Sequence, residues 1–164
     1  MWFDNNFLKL NADKCKLLVT NHEDDVSITL DNEVIKGDKF VKLLGVKIDN
    51  KLDFNEHISG IYKKASLKLH ALARIAPFMN KGKLQILMKS FIEAQFNYCP
   101  LIWMFHSRSL NNKINKLHER ALRIVYKDYN SSFENLLITD NTVTIHDRNL
   151  QKLATQMYKI KNNL

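Results

Sequence analysis

Five cations spaced three or four residues apart, Lys113, Lys116, Arg120, Arg123 and Lys127, carry the clearest chemical signal in this 164-residue chain. Wound as a helix at about 100° per residue, they fall inside an arc of about 80°. Glu119 stays outside that arc. Like charges at these spacings repel by roughly 0.2–0.5 kcal/mol per pair, so a face that keeps them is matched to an external polyanion. A Lys or Arg that meets a phosphate releases condensed counterions, which drives binding and makes it salt-sensitive. The competing explanation is an ordinary solvated helix face; the charge around this one favours nucleic acid. Lys63, His70 and Arg74 form a weaker set of the same kind, for which a wet helix face is at least as good an account.

Asp24-Asp25 has the composition of a pair that could hold Mg2+. Its surroundings, His22-Glu23-Asp24-Asp25, form a polar run with no apolar lead, which reads instead as a solvated turn. His57, His106, His118 and His146 are scattered, with no pair at zinc-protease spacing, and no Ser or Cys sits in a nucleophile elbow. His57 at a helix start reads as structural. Tyr98, Trp103 and Phe105 read as core aromatics, with base stacking the lesser alternative. Metal ligands are not expected, and neither is a self-sufficient active site.

The elements that must position these residues change character along the chain. Leu17-Leu18-Val19, the alternating Val26, Ile28 and Leu30, and Val34-Ile35 beyond an Asp31-Asn32 turn predict strands. Phe40, Leu44, Val46 and Ile48 predict one face of a further strand, so residues 14–49 should form a small antiparallel sheet. From Asp53 the period becomes helical. A capping box of Asp53 and Glu56 precedes Ile58, Ile61, Ala65, Leu69 and Leu72, and Pro77 ends that helix. A second helix from about Leu84 is apolar almost all round, with Ile86, Met88, Phe91 and Ile92. It should therefore be central, and Pro100 should bend or stop it. The cationic helix spans Leu110 to Lys127. Ser131 with Glu134 caps a short turn, and Thr144 with Asp147 opens a last helix whose Leu150, Leu153, Ala154 and Met157 should face inward. The expected fold is α+β: the sheet, then a helical bundle over about residues 53–161.

Hydrophobic residues at 45% and charged residues at 26% allow a real core and argue against disorder. The formal charge is +8, with a pI near 9.5. Residues 1–50 hold 7 basic and 9 acidic side chains, whereas 51–164 hold 18 and 8, so a polyanion site belongs in the second part. The run from Cys99 to Phe105 is too short to cross a bilayer, and the first residues lack a secretory pattern. Cys15 and Cys99 make neither a disulfide framework nor a metal set, so an intracellular compartment is expected. With 4 Gly and no phosphate-cradling glycine loop, no small-molecule nucleotide site and no membrane partner are expected.

Several strings together resemble a known family. Trp2, Leu8-Lys9-Leu10-Asn11, Asp13-Lys14-Cys15 and Lys42-Leu43-Leu44-Gly45-Val46-Lys47-Ile48-Asp49 resemble a segment of reverse transcriptases of LINE-type (non-LTR, jockey-like) retrotransposons. So do Leu52-Asp53-Phe54-Asn55-Glu56-His57-Ile58, Tyr98-Cys99-Pro100-Leu101-Ile102-Trp103 and Leu117-His118-Glu119-Arg120-Ala121-Leu122-Arg123, in the same order. The resemblance implies a position: residues 1–50 as the end of the palm, with Leu44, Gly45 and Val46 as the primer-grip strand, and residues 51–164 as the thumb and the segment after it. It implies that Lys14 matches a lysine that assists pyrophosphate departure, with a plain strand-edge lysine as the alternative. It also implies that the catalytic carboxylates lie upstream of the Leu-x-Leu-Asn motif. Only seven residues precede that motif here, and among them Asp4 is the one carboxylate, while Asp24-Asp25 falls on the wrong side.

The chain is therefore expected to bind an RNA, RNA–DNA or DNA template–primer backbone, completed by an upstream palm and fingers portion, and to polymerise nothing alone. It should need no cofactor itself, Mg2+ belonging to the intact polymerase. The alternatives are a stand-alone basic helical module that binds nucleic acid, or a helical protein-interaction domain.

Overall fold

The computed structural model describes residues 5–7, 11–20, 26–30 and 33–163. The chain folds as two compact units, Met1–Glu56 and His57–Leu164.

In the first unit, β1 (Ser27–Leu30) pairs antiparallel with β2 (Glu33–Lys36), and β3 (Phe40–Leu43) with β4 (Val46–Asp49). The expected single sheet is thus two separate two-stranded ladders. Residues Leu17 to Val19 contribute one parallel bridge, Leu17 to Gly37, and no strand. The largest departure is at Leu44-Gly45. One strand was expected to run through Phe40, Leu44, Val46 and Ile48; instead the chain reverses there, with φ of 46° at Leu44 and 90° at Gly45. Two consecutive positive φ values are the signature of the hairpin turn whose twist matches its strands. Gly45 adopts that backbone freely, whereas a leucine there costs roughly 1–2 kcal/mol. The reversal puts Val41, Leu43, Val46 and Ile48 on one face and Phe40, Lys42, Lys47 and Asp49 on the other. Lys47 Nζ lies 4.8 Å from the Phe40 ring centroid on that second face.

Asp49 organises the exit from β4. Its Oδ1 accepts from the Lys51 and Asp53 amides at 3.1 and 3.2 Å, and its Oδ2 from the Phe54 amide at 2.8 Å. Leu52 and Phe54 take left-handed backbone, with φ of 57° and 56°; the Leu52 amide donates to the Asp49 backbone carbonyl at 3.1 Å and the Phe54 amide to its carboxylate. The predicted capping box does not form. Asp53 instead bonds the amide and side chain of Asn55, and the carboxylate of Glu56 lies 3.9 Å from Lys47.

The second unit is helical. Helix α1 (Asn55–Ile75) ends as expected just before Pro77, which sits in a 3-10 turn, Ala76–Phe78. Asn80 caps α2 (Lys81–Leu87) by accepting from the Lys83 amide. The chain then continues through a π turn, Met88–Ile92, and a 3-10 turn, Glu93–Phe96. Leu84, Met88, Ile92 and Phe96 are buried, but Ile86 and Phe91 are 68% and 52% exposed, so this helix is not surrounded by core. Pro100 opens rather than stops a helix. With no amide to satisfy it suits a first helical position, and α3 (Pro100–Trp103) starts on it after a left-handed Cys99. Of the three expected core aromatics only Trp103 is buried, its Nε1 donating to the Tyr98 carbonyl at 3.0 Å; Tyr98 and Phe105 stay exposed.

Helix α4 (Arg108–Tyr126) is the central element, touching α2, α5 (Phe133–Thr139) and α6 (Ile145–Lys161). It is capped by Ser107 and buries Ile114, Leu117, His118, Ala121, Leu122 and Val125 along one side. Ser132, not Ser131, caps α5 through the Asn135 amide. Thr144 caps α6 as predicted, accepting from the Asp147 amide and donating to its carboxylate. The inward face of α6 is Ile145 and Asn149, whereas Leu150, Ala154 and Met157 are exposed. No described helix is long and apolar enough to cross a membrane.

Candidate nucleic-acid interface

The packed side of α4 dictates what its other side presents. With six residues buried along one side, the opposite arc must face water, and Lys113, Lys116 and Arg120 are all exposed there. Among the described residues none pairs with any of the three. Arg123 and Lys127, expected to extend the row, do different work. The Arg123 guanidinium contacts Glu119 Oε1 at 2.7 Å, the Ser131 carbonyl at 3.0 Å and the Asp128 carbonyl at 3.4 Å. It thus fastens the turn between α4 and α5. Lys127 lies past the helix, at a C-cap with φ of 52°, so the helical wheel does not apply to it. The row of five becomes a ridge of three, flanked by an exposed Lys127.

Lys63 and Arg74 are both exposed on α1, far apart along it. The α1 end near Lys63 approaches α4, because Ser59 and Tyr62 line a cleft with Leu110 and Lys113. Lys14 and Leu44-Gly45-Val46 belong to the first unit. Lys14 ends a 3-10 turn, Ala12–Lys14, rather than edging a strand. Leu44 stands 83% exposed at the hairpin tip, and Val46 is buried. Asp4, His22, Glu23, Asp24 and Asp25 lie outside the described residues. Among the described residues no group of His, Cys, Asp and Glu is disposed to hold a metal ion.

Periodicity gave no sign of the buried polar groups behind the ridge. Glu93 is 4% exposed; its Oε2 accepts from Arg148 Nη1 at 2.6 Å, and its Oε1 lies 3.3 Å from Nε2 of the buried His118. Burial opposes its charge, yet His118 and Arg148 prevail and hold the carboxyl down at about 2. Arg148 also reaches Thr142 at 3.0 Å. Asp140, equally buried, accepts from Gln85 at 2.6 Å and from the Tyr126 hydroxyl at 2.9 Å, with Lys89 3.4 Å away. Burial and then Asp140 push the Tyr126 hydroxyl up to about 12. The sequence signal for Glu93 was an acid alone between apolar Ile92 and Ala94; its partners are up to 55 residues away.

His106 gives a pH-dependent prediction. Its Nδ1 lies 3.2 Å from the Trp103 carbonyl, and burial, followed by the nearby His146, lowers its pKa below 6.5. The unfolded chain therefore takes up this proton more readily than the folded one. The stabilising contribution is complete above pH 6.5 and is lost as pH falls toward the folded-state value. The melting temperature should decline over that interval, and His106→Gln should flatten the decline relative to the parent chain. Parallel curves for the two proteins would refute the assignment.

No family model matches the chain, and no solved structure matches it. Among curated proteins it is 26% identical over 127 residues to the RNA-directed DNA polymerase from mobile element jockey of Drosophila melanogaster. The match covers 74% of this chain and 14% of that polymerase, so the chain spans about a seventh of its relative's length. The similarity relates the chain to a retrotransposon reverse transcriptase.

Proposed function

We propose that this chain is the palm-end and thumb portion of a retrotransposon reverse transcriptase, and that it holds template–primer nucleic acid by its phosphates rather than performing the chemistry. One observation carries the reading: α4 turns Lys113, Lys116 and Arg120 outward, unpaired among the described residues. The unit from His57 onward holds 17 basic and 6 acidic side chains, which makes the surroundings attractive to a polyanion. The sequence similarity to the jockey polymerase and the ordered family strings point the same way.

Cations spaced along a rigid helix give affinity without reading bases. A thumb of this kind acts by keeping the primer end aligned, a positioning effect that needs no catalytic group of its own. Residues 1–50 supply the palm end, with Leu44-Gly45-Val46 as the primer-grip hairpin and Lys14 as the candidate proton donor once the intact polymerase is assembled. In this reading Mg2+ is held by carboxylates that the rest of the intact polymerase supplies.

Band-shift titration of the purified chain on duplex DNA over a salt series tests the reading. Three phosphate contacts give a log–log slope of about −2.7, so a fourfold rise in salt should weaken binding about fortyfold. Five contacts would give about −4.5, and a flat response would remove the proposal.

A further inference from the structure

The cleft between α1 and α4 has about 200 Å3 of space and is lined by Ile58, Ser59, Tyr62, Leu110, Lys113 and Ile114. Ile58 and Ile114, each 1% exposed, make an apolar floor. Tyr62 lines the cleft beside them and is half-buried, so part of the residue remains accessible. Exposed Ser59 and Lys113 supply a hydroxyl and an ammonium at the rim, and exposed Lys63 follows Tyr62 in α1. Lys113 is also the first cation of the ridge, so the cleft opens onto the line that continues through Lys116 and Arg120.

We propose that this cleft seats one unpaired base of a nucleic-acid strand against Tyr62, with the adjoining phosphate at Lys113. The inference rests on the phosphate-binding reading of the ridge and goes beyond it, because phosphate contacts alone need no base. An aromatic ring beside a basic groove is how sequence-tolerant single-strand binders hold bases, since every base offers a π face. Charge complementarity selects the occupant. A strand carries a negative charge to Lys113 with every base, whereas an apolar side chain of a protein partner would leave that ammonium unmatched. A duplex keeps its bases stacked and paired, so the seat favours single strands or frayed ends.

The test compares three probes at one salt concentration: a single-stranded oligonucleotide, the same strand made abasic throughout, and a duplex. The parent chain should bind the intact strand about tenfold or more tighter than the abasic one. Tyr62→Leu, which keeps apolar bulk and so the fold, should bring the intact strand to the abasic level without changing abasic or duplex affinity. A fluorescent adenine analogue within the strand should also change emission on binding the parent chain, a readout that needs no variant. Equal affinity of the parent chain for intact and abasic strands, or a Tyr62→Leu loss shared by both, would overturn the base seat and leave the phosphate ridge standing. Failure to bind any of the three probes would overturn both.

Discussion

Replacing Arg148 by methionine should destabilise the helical unit by about 3–5 kcal/mol, because it strands a buried charge. Glu93 is 4% exposed and its Oε2 takes its bond from Arg148 at 2.6 Å. Without the guanidinium, the carboxylate keeps the cost of burial and has only His118, 3.3 Å away, to set against it. The pH dependence follows with a definite sign. In the parent chain the folded carboxyl sits at about 2 against an ordinary 4.5. Its contribution is therefore complete above pH 4.5 and is lost as pH falls toward 2. Arg148→Met raises the folded-state pKa, so stability lost at neutral pH is partly regained on acidification. Replacing both partners, Glu93→Met with Arg148→Met, removes the charge together with its counter-charge and should restore most of the loss, since apolar substitutes for a buried pair are often neutral. Urea unfolding of the parent, single and double variants, at neutral pH and again on acidification below pH 4.5, measures all of this. A single variant within about 1 kcal/mol of the parent would show that Glu93 is not held by Arg148.

What the sequence revealed and what it hid divides along physical lines. The outward turn of Lys113, Lys116 and Arg120 was legible because the 3.6-residue period of α4 places them opposite Ile114, Leu117, Ala121 and Val125, and the core enforces that period. The loss of Arg123 was half legible. A glutamate four residues before an arginine is the favourable orientation for a helix pair, but the carbonyls of Asp128 and Ser131 come to Arg123 only when the chain turns back. Lys127 misled because a helical wheel has no means of marking the left-handed residue at which the helix stops. Leu44-Gly45 hid its turn in a run of apolar residues: a hairpin is normally announced by Asn-Gly or Asp-Gly, and a leucine at positive φ is not a local choice. The centrality of α4 over α2 was lost for the opposite reason. Apolar Ile86 and Phe91 suggested burial, yet a large share of any protein surface is apolar. The cleft at Tyr62 could not be read at all, since it exists only where two helices some fifty residues apart approach.

Charge reversal along the ridge, Lys113→Glu with Lys116→Glu and Arg120→Glu, should weaken duplex binding about a hundredfold or more at low salt and leave the fold intact. Both halves follow from where the side chains lie. The three are exposed and, among the described residues, none forms an ion pair, so substitutions there should move stability by no more than about 0.5 kcal/mol each, and glutamate is nearly as good a helix former as lysine or arginine. Binding loses three phosphate partners and gains three repulsive charges at the same places, which also removes the counterion release that drives it. The residual salt slope should therefore collapse toward zero rather than merely shift the curve. Arg123 is left out of the variant deliberately. Its guanidinium holds Glu119 and two carbonyls of the α4–α5 turn, so reversing it would confound a binding loss with a folding defect. Circular dichroism and urea unfolding, run beside the band-shift titration, separate the two. Unaltered helicity with unaltered affinity would locate the polyanion site on some other face, whereas unaltered helicity with weakened, salt-insensitive binding places the phosphates along α4.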